Sequence, residues 1–299
     1  MTDQARGLLI TLFGVLFVVP DSLFVRLIDA DALTIAFWRQ FLSGGMIGLG
    51  ILALQGTAPF RAVLRTGRFG IIYMIGTGAS GILFVLAVSL TSVANVVFII
   101  ASLPIFGAIF GRIFLGERIS RRTFITIAVV CVGLAIIAYG SGETENASLA
   151  GDLLALATAA LFAAGLTAAR HVRGTSMVPG VAMAFVISAL VIAPFAKPFD
   201  VVPSQAPLFL GHALFILCSS ALLALGPRYI TSAEVGLLVL LESVLAPLLA
   251  WWIVNESPGE AALFGGAVVI SALFVSNVVA LMRRGRIRNP RSPPAAGAP

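Results

Sequence analysis

Few side chains in this sequence could do chemistry, and those few stand singly inside apolar runs. Arg39 lies within the run 32–54 and Glu242 within 231–254. A charge at the centre of a bilayer costs at least about 2.5–3.5 kcal/mol, so in a spanning run each must face protein or a water-filled cavity. Two uses follow. The charges could hold the ionic group of a bound molecule, or Arg39 and Glu242 could brace each other as an intramembrane pair. Asp21 follows Pro20, which removes a backbone hydrogen bond and should break the helix, freeing polar groups at depth. The alternative is an Asp21 resting at the outer interface. Tyr73 and His212 each offer a ring with a polar handle. They could flank a bound molecule or be satisfied core residues. Asn95 and Glu234 stand at the starts of apolar runs, where they could gate a pathway or cap a helix. Phe17, Phe98 and Phe162 could line an aromatic cavity. With 21 phenylalanines in the chain, the same rings serve equally well as core or lipid-facing bulk.

The elements that position these residues follow from composition. The chain has 299 residues, 59% apolar and 11% charged, with a mean hydropathy of +1.06. A soluble domain carries about 25% charged residues, so the natural solvent of this surface is a lipid bilayer. The net charge of +6 is spread between apolar runs. No Lys/Arg stripe is interleaved with aromatics, so nucleic acid is not a partner on this reading. The two cysteines, Cys131 and Cys218, read as small buried hydrophobes. No CxxC or His/Cys cluster implies a metal, and no cofactor motif is present. The first apolar run is longer than a signal-peptide core and reads as a retained span.

Ten runs are long enough to span: 7–28, 32–54, 69–89, 92–115, 121–140, 149–170, 176–196, 207–227, 231–254 and 260–282. Between Arg68 and Arg112 lie 43 uncharged residues, about 65 Å as a single helix and roughly twice a bilayer core. The chain must fold back, and "SLTSVAN" (89–95) is the polar cluster that can turn it. With the N-terminus in the cytoplasm, 16 basic residues fall on the cytoplasmic side and only Arg26 and Lys197 on the other. That bias orients both termini to the cytoplasm and places "SGETENAS" (141–148) outside.

The segment "PIFGAIFGRIFLGE" (104–117) has a counterpart in "SVLAPLLAWWIVNE" (243–256), 139 positions downstream. At that shift Tyr73 falls on His212, Ala94 on Ala233 and Glu117 on Glu256. Five spans per half is an odd number, so the second half enters the membrane from the opposite side. Inverted repeats of this kind build many secondary transporters, with the substrate site near the midplane between the halves. The expected architecture is an all-α integral membrane protein of ten transmembrane helices. The first repeat covers 1–145, the second 146–284, and 285–299 ("RIRNPRSPPAAGAP" from Arg286 on) forms a disordered cytoplasmic tail.

"LPIFGAIFGRIFLGERIS", "FWRQFLSG" and "LLESVLAPLLAWWIVNE" resemble segments of the drug/metabolite transporter superfamily, EamA branch. The resemblance covers about residues 7 to 282. Within the branch the chain is most similar to the aromatic amino-acid exporters of the YddG type. The ninth span of that family usually reads Glu-Pro; here Ser243 takes the proline position and Pro247 follows a turn later. The resemblance implies a central cavity lined by spans one, four and six, which carry Phe17, Phe98 and Phe162; Tyr73 and His212, matched by the repeat on spans three and eight, and Ser243 on the ninth are further cavity candidates. Asp21, Asn95 and Glu234 are the polar or gating residues. It further implies a secondary transporter in the bacterial inner membrane that exports amino acids, aromatic or large apolar ones first, by alternating access. A different exported metabolite or drug is the alternative. An intramembrane enzyme would need HExxH, GxSxG or clustered acids, and ATP drive would need GxxxxGK[ST]; the sequence has none of these. A scaffold would have no use for the repeat.

Overall fold

A computed structural model describes residues 3–116, 121–140, 148–172, 174–225, 229 and 232–288. The described chain is helical. Its elements are α1 (Asp3–Val18), α2 (Asp21–Leu27), α3 (Ala32–Gln55), α4 (Ala58–Leu64), α5 (Arg68–Leu90), α6 (Val93–Ile100), α7 (Leu103–Leu115), α8 (Arg121–Tyr139), α9 (Leu149–His171), α10 (Val178–Ile192), α11 (Ala206–Leu225), α12 (Ser232–Val254) and α13 (Glu260–Arg288). A 3₁₀ turn, Pro203–Gln205, leads into α11.

The breaks sit where the local chemistry demands them. Pro20 has no N–H to give, so α1 stops at Val18 and the ladder restarts at Asp21. The hairpin after α5 falls at Thr91, whose backbone is extended. Ser92 then caps α6 by accepting from the Asn95 N–H at 3.1 Å. The run 92–115 is itself interrupted at Ala101–Ser102, and Pro104 sits in the first turn of α7, where its missing N–H costs nothing.

Eight helical stretches among the described residues are long and apolar enough to cross a membrane: Ala5–Leu27, Ala32–Gln55, Arg68–Leu90, Val93–Phe114, Arg121–Tyr139, Leu149–His171, Pro203–Leu225 and Glu260–Val279. The apolar helices in the seventh and ninth expected runs, Val178–Ile192 and Leu238–Val254, are shorter. The seventh ends at Ile192 because Pro194 follows and turns replace the helix through Phe195. Its 15 residues rise about 23 Å. At the other end of the chain α13 continues to Arg288, four residues into the segment expected as tail.

Helices approach closely where side chains are smallest. A Cβ on Gly76 of α5 would lie 2.6 Å from the Leu161 carbonyl of α9, and one on Gly265 of α13 would lie 2.6 Å from the Gly133 carbonyl of α8. Such small-residue contacts are how helices associate where lipid offers no hydrophobic drive. Pairing follows: α5 packs on α9, α8 on α13, α3 on α10, α1 on α11, and α12 on α1, α2, α6 and α13. The outside is apolar, with Leu54, Trp252, Phe264 and Phe124 exposed. Cys131 belongs to this outside and Cys218 is half-buried, so neither is the buried residue expected from sequence. α8 has a single packed face, along Val130, Gly133 and Ile137, and Cys131 lies off it.

Candidate functional site

The break at Pro20 presents Asp21 to the bundle interior. It is 2% exposed, and it accepts two bonds from the Arg39 guanidinium of α3: Nε to Oδ1 at 2.9 Å and Nη2 to Oδ2 at 2.5 Å. His212 of α11, fully buried, places Nε2 2.6 Å from the same Oδ1. An ionised carboxylate only accepts, so His212 donates through Nε2. Its Nδ1 is then buried without a partner, as is Arg39 Nη1. Asp21 is therefore buried in the bundle, and Arg39 is braced by Asp21 rather than by Glu242. The reason is geometric. The two forks match in a bidentate pair, and the proline break turns α2 so that its first residue meets the α3 helix. Gly81 of α5 supplies the room: a Cβ there would sit 3.1 Å from Arg39 Nη1. Phe84 lies beneath the guanidinium at 5.6 Å.

Aromatic rings surround this ionic set. Phe24 of α2 stacks on the His212 ring, with centroids 5.2 Å apart and planes 11° from parallel. Phe215 packs against Phe24 at 5.5 Å and against Phe17 at 5.6 Å. Of these, Phe17 and His212 were anticipated; Phe24 and Phe215 were not. Glu242 lies within electrostatic reach of Asp21 and Arg39. It has no hydrogen bond or ion pair of its own among the described residues.

The other anticipated residues lie elsewhere. Tyr73 is buried in an apolar cluster with Val63, Met177, Val181 and Phe185, its ring against Gly180. No contact joins it to His212. Phe98 is buried against α13, where a Cβ on Gly266 would fall 2.4 Å from its ring. It fills a helix contact. Phe162 is half-buried on α9. Ser243 is buried, with its hydroxyl 3.4 Å from the Val97 carbonyl of α6. Asn95 does not cap α6; Ser92 does. The Asn95 amide instead donates to both Asp152 oxygens, at 3.0 and 3.3 Å. The side chain of Glu234, Glu117 and the segment 141–147 lie outside the described residues.

A second polar network, missed from sequence, ties the halves together at one end of the bundle. Arg26 Nε donates to Glu256 Oε2 at 2.7 Å, and its Nη2 donates to the Thr91 carbonyl at 2.8 Å. Glu256 Oε1 accepts from the Val93 N–H at 2.6 Å, at the start of α6. Thr91 Oγ1 donates to Asp152 of α9 at 2.8 Å, and Ser148 Oγ, which caps α9, donates to the Leu90 carbonyl. One signal was available. Arg26 is the arginine assigned to the sparse side, and Glu256 closes a span on that side.

A groove of about 310 Å³ opens between α3 and α10, lined by Gly44, Gly48, Leu52, Phe60, Ala182 and Met183. It holds none of the charged residues above and faces the apolar outside. Among the described residues, no group of three or more His, Cys, Asp or Glu side chains is placed to hold a metal.

The chain is similar to known proteins in sequence and in fold. The model of the EamA-like transporter family matches residues 5–139 and again 149–278. A protein of Rickettsia bellii (strain RML369-C), named S-adenosylmethionine uptake transporter, is 26% identical over 252 residues, covering 81% of this chain and 82% of that one. A protein of the same name from Rickettsia conorii (strain ATCC VR-613 / Malish 7) is 24% identical over 252 residues, 81% of each chain. A solved crystal structure superposes with a TM-score of 0.65 at 18% identity, covering 94% of this chain and 99% of that one. The relatives' names do not single out the aromatic amino-acid exporters expected from sequence.

Proposed function

The chain belongs to the EamA-like transporter family, and from that premise we propose that it carries a small metabolite with an α-amino-acid head group across the membrane by alternating access. The carrier is two inverted five-helix repeats, 1–145 and 146–284. The helix boundaries support this. α6 and α7 together run 93–115 and α12 runs 232–254, offset by 139 at both ends; α8 and α13 begin 139 apart. The packing supports it too. Exchanging the halves turns the α1–α11 contact into α9–α5 and the α7–α9 contact into α12–α1, while α3–α10 and α8–α13 map onto themselves. Alternating access uses this symmetry by rocking one half against the other. The chain lies in the cytoplasmic membrane with both termini inside, on the strength of the arginine bias. The Arg26–Glu256 end is then the outer one.

The observation that carries the substrate reading is the buried set Asp21–Arg39–His212 among Phe17, Phe24 and Phe215. Charged groups at depth are costly and mark a site. Aromatic walls favour a substrate with a flat or apolar body. Export of aromatic amino acids fits both features and is the first reading. Uptake of S-adenosylmethionine is the second, favoured by the relatives' names; it too joins an amino-acid head to an aromatic ring system. Purified protein in liposomes, offered labelled Trp, Phe, Thr and S-adenosylmethionine with and without a pH gradient, tests the reading. Saturable uptake of at least one ring-bearing substrate, well above Thr, supports it. Equal, non-saturable entry of all four counts against it.

A further inference from the structure

The polar groups around Asp21 do not all find partners in one another. Asp21 and Arg39 satisfy one another through a bidentate pair, and His212 shares the Asp21 carboxylate. Glu242 is left over, a carboxyl group with no hydrogen bond or ion pair among the described residues. Its place on α12 is not the lipid side. At 100° per residue, Leu241, Val244, Leu248, Trp251 and Trp252, all exposed, form one face of the helix. Glu242 lies on the other side with the buried Ser243, Ala246 and Ala250. α12 packs on α1 and α2, the helices that carry Phe17, Phe24 and Asp21, and Glu242 lies within electrostatic reach of Asp21 and Arg39. The carboxylate is half-buried, whereas the members of the ionic set are sealed. Ionising such a carboxyl without a counter-charge is expensive in the interior of a membrane protein, and a bound cation offsets that cost.

We infer that Glu242 is the receptor for the positively charged group of the transported molecule, and so sets its specificity. This rests on the substrate reading above and sharpens it. The molecule must bring one positive group that Glu242 can meet, beside a ring that Phe17, Phe24 and Phe215 can cover. Aromatic faces also attract cations, so the wall and the carboxylate act on the same group. The unpartnered donor Arg39 Nη1 is the complementary feature, while His212 Nδ1, the bare nitrogen of a ring that donates through Nε2, is a spare acceptor. Arg39 Nη1 leaves capacity for an anion within electrostatic reach of Glu242, the layout an amino-acid zwitterion needs. Arg39 and Asp21 cannot take the role of Glu242, because each is already committed to the other.

The positive group could be an α-ammonium or a sulfonium, and two probe pairs separate them. Tryptophan and indole-3-propionate differ by the ammonium. S-adenosylmethionine and S-adenosylhomocysteine differ by the sulfonium methyl and its charge. Binding of all four to the intact carrier in detergent is compared with binding to Glu242→Gln and Glu242→Asp. The inference expects wild type to prefer the cationic member of at least one pair by about tenfold or more, a full decade in affinity. Glu242→Gln should bring that ratio close to one, and Glu242→Asp should restore much of it. A purely structural Glu242 would change overall binding and leave the ratio alone. Should Glu242→Gln fail to fold, carbodiimide modification of Glu242 in the wild-type chain, read by mass spectrometry, replaces it. The member that carries the extra positive group should protect and its partner should not. If wild type binds the probes but the ratio survives Glu242→Gln, or both members protect alike, the inference is overturned and the substrate reading stands. If wild type binds none of the four, both fall.

Discussion

Replacing Asp21 by Asn keeps its shape and removes the counter-charge of Arg39. Arg39 is 6% exposed, its Nε and Nη2 bonds both end on Asp21, and Nη1 has no other partner to fall back on. Breaking a buried pair from one side costs about 3–5 kcal/mol, because the remaining charge is stranded. Arg39→Met strands Asp21 in the same way, although the His212 contact softens the loss. The double variant strands neither. Its cost should be no larger than either single change, so the coupling should be at least as large as the greater single loss, about 3–5 kcal/mol. Reversible unfolding in mixed micelles, followed by tryptophan fluorescence, reads all four corners of the cycle. Losses that add within about 0.5 kcal/mol would refute the pairing, and with it the placement of Asp21 at the heart of the bundle.

Three further outcomes follow from the same contacts. Gly266→Ala should cost about 1–3 kcal/mol by overpacking against the Phe98 ring; Phe98→Leu in the same chain should recover part of it, and a neutral Gly266→Ala would contradict the contact. Glu256→Gln and Arg26→Ala should loosen the end where Arg26, Thr91 and Val93 converge on Glu256. In a chain lacking Cys131 and Cys218, a thiol at Phe215 should then react faster with a reagent supplied from that end; an unchanged rate would show that the network does not hold the end closed. For orientation, Phe199→Cys should be labelled by an impermeant thiol reagent on intact cells, and Arg65→Cys only after permeabilisation, both positions being exposed. The reverse pattern would invert the proposed topology.

Much of the scaffold was legible because local rules govern it. Pro20 breaks a helix wherever the rest of the chain goes, and the 43 uncharged residues had to turn at their polar cluster. The partners of the charges were another matter. Arg39 and Glu242 stood out because a charge in a long apolar run is conspicuous, but nothing local says which residue it meets. Asp21 was the harder case. Counting along the first run puts it near an end, and only the break at Pro20 and the packing of α2 on α11 carry it to Arg39 and His212. Tyr73 and His212 matched in the repeat, yet one packs in an apolar cluster and the other bonds to a carboxylate. A shared register does not impose a shared environment. Phe98 illustrates the same limit: its ring is spent on Gly266, a contact between helices far apart in sequence. Asp152 went unremarked as one acid near the start of a span, and its meaning appears only when Thr91 and Asn95 arrive beside it.

The central claim is that this chain is a carrier with a charged, ring-lined interior site, and counterflow measures that directly. Liposomes holding the purified protein are loaded with unlabelled substrate from the panel above and diluted into a trace of the same labelled compound, without ATP or an ion gradient. Label should accumulate transiently, overshoot equilibrium and, for a cationic ring-bearing substrate, lose that overshoot in Glu242→Gln. Label that only equilibrates, at the rate seen in liposomes without protein, for every compound in the panel would contradict it.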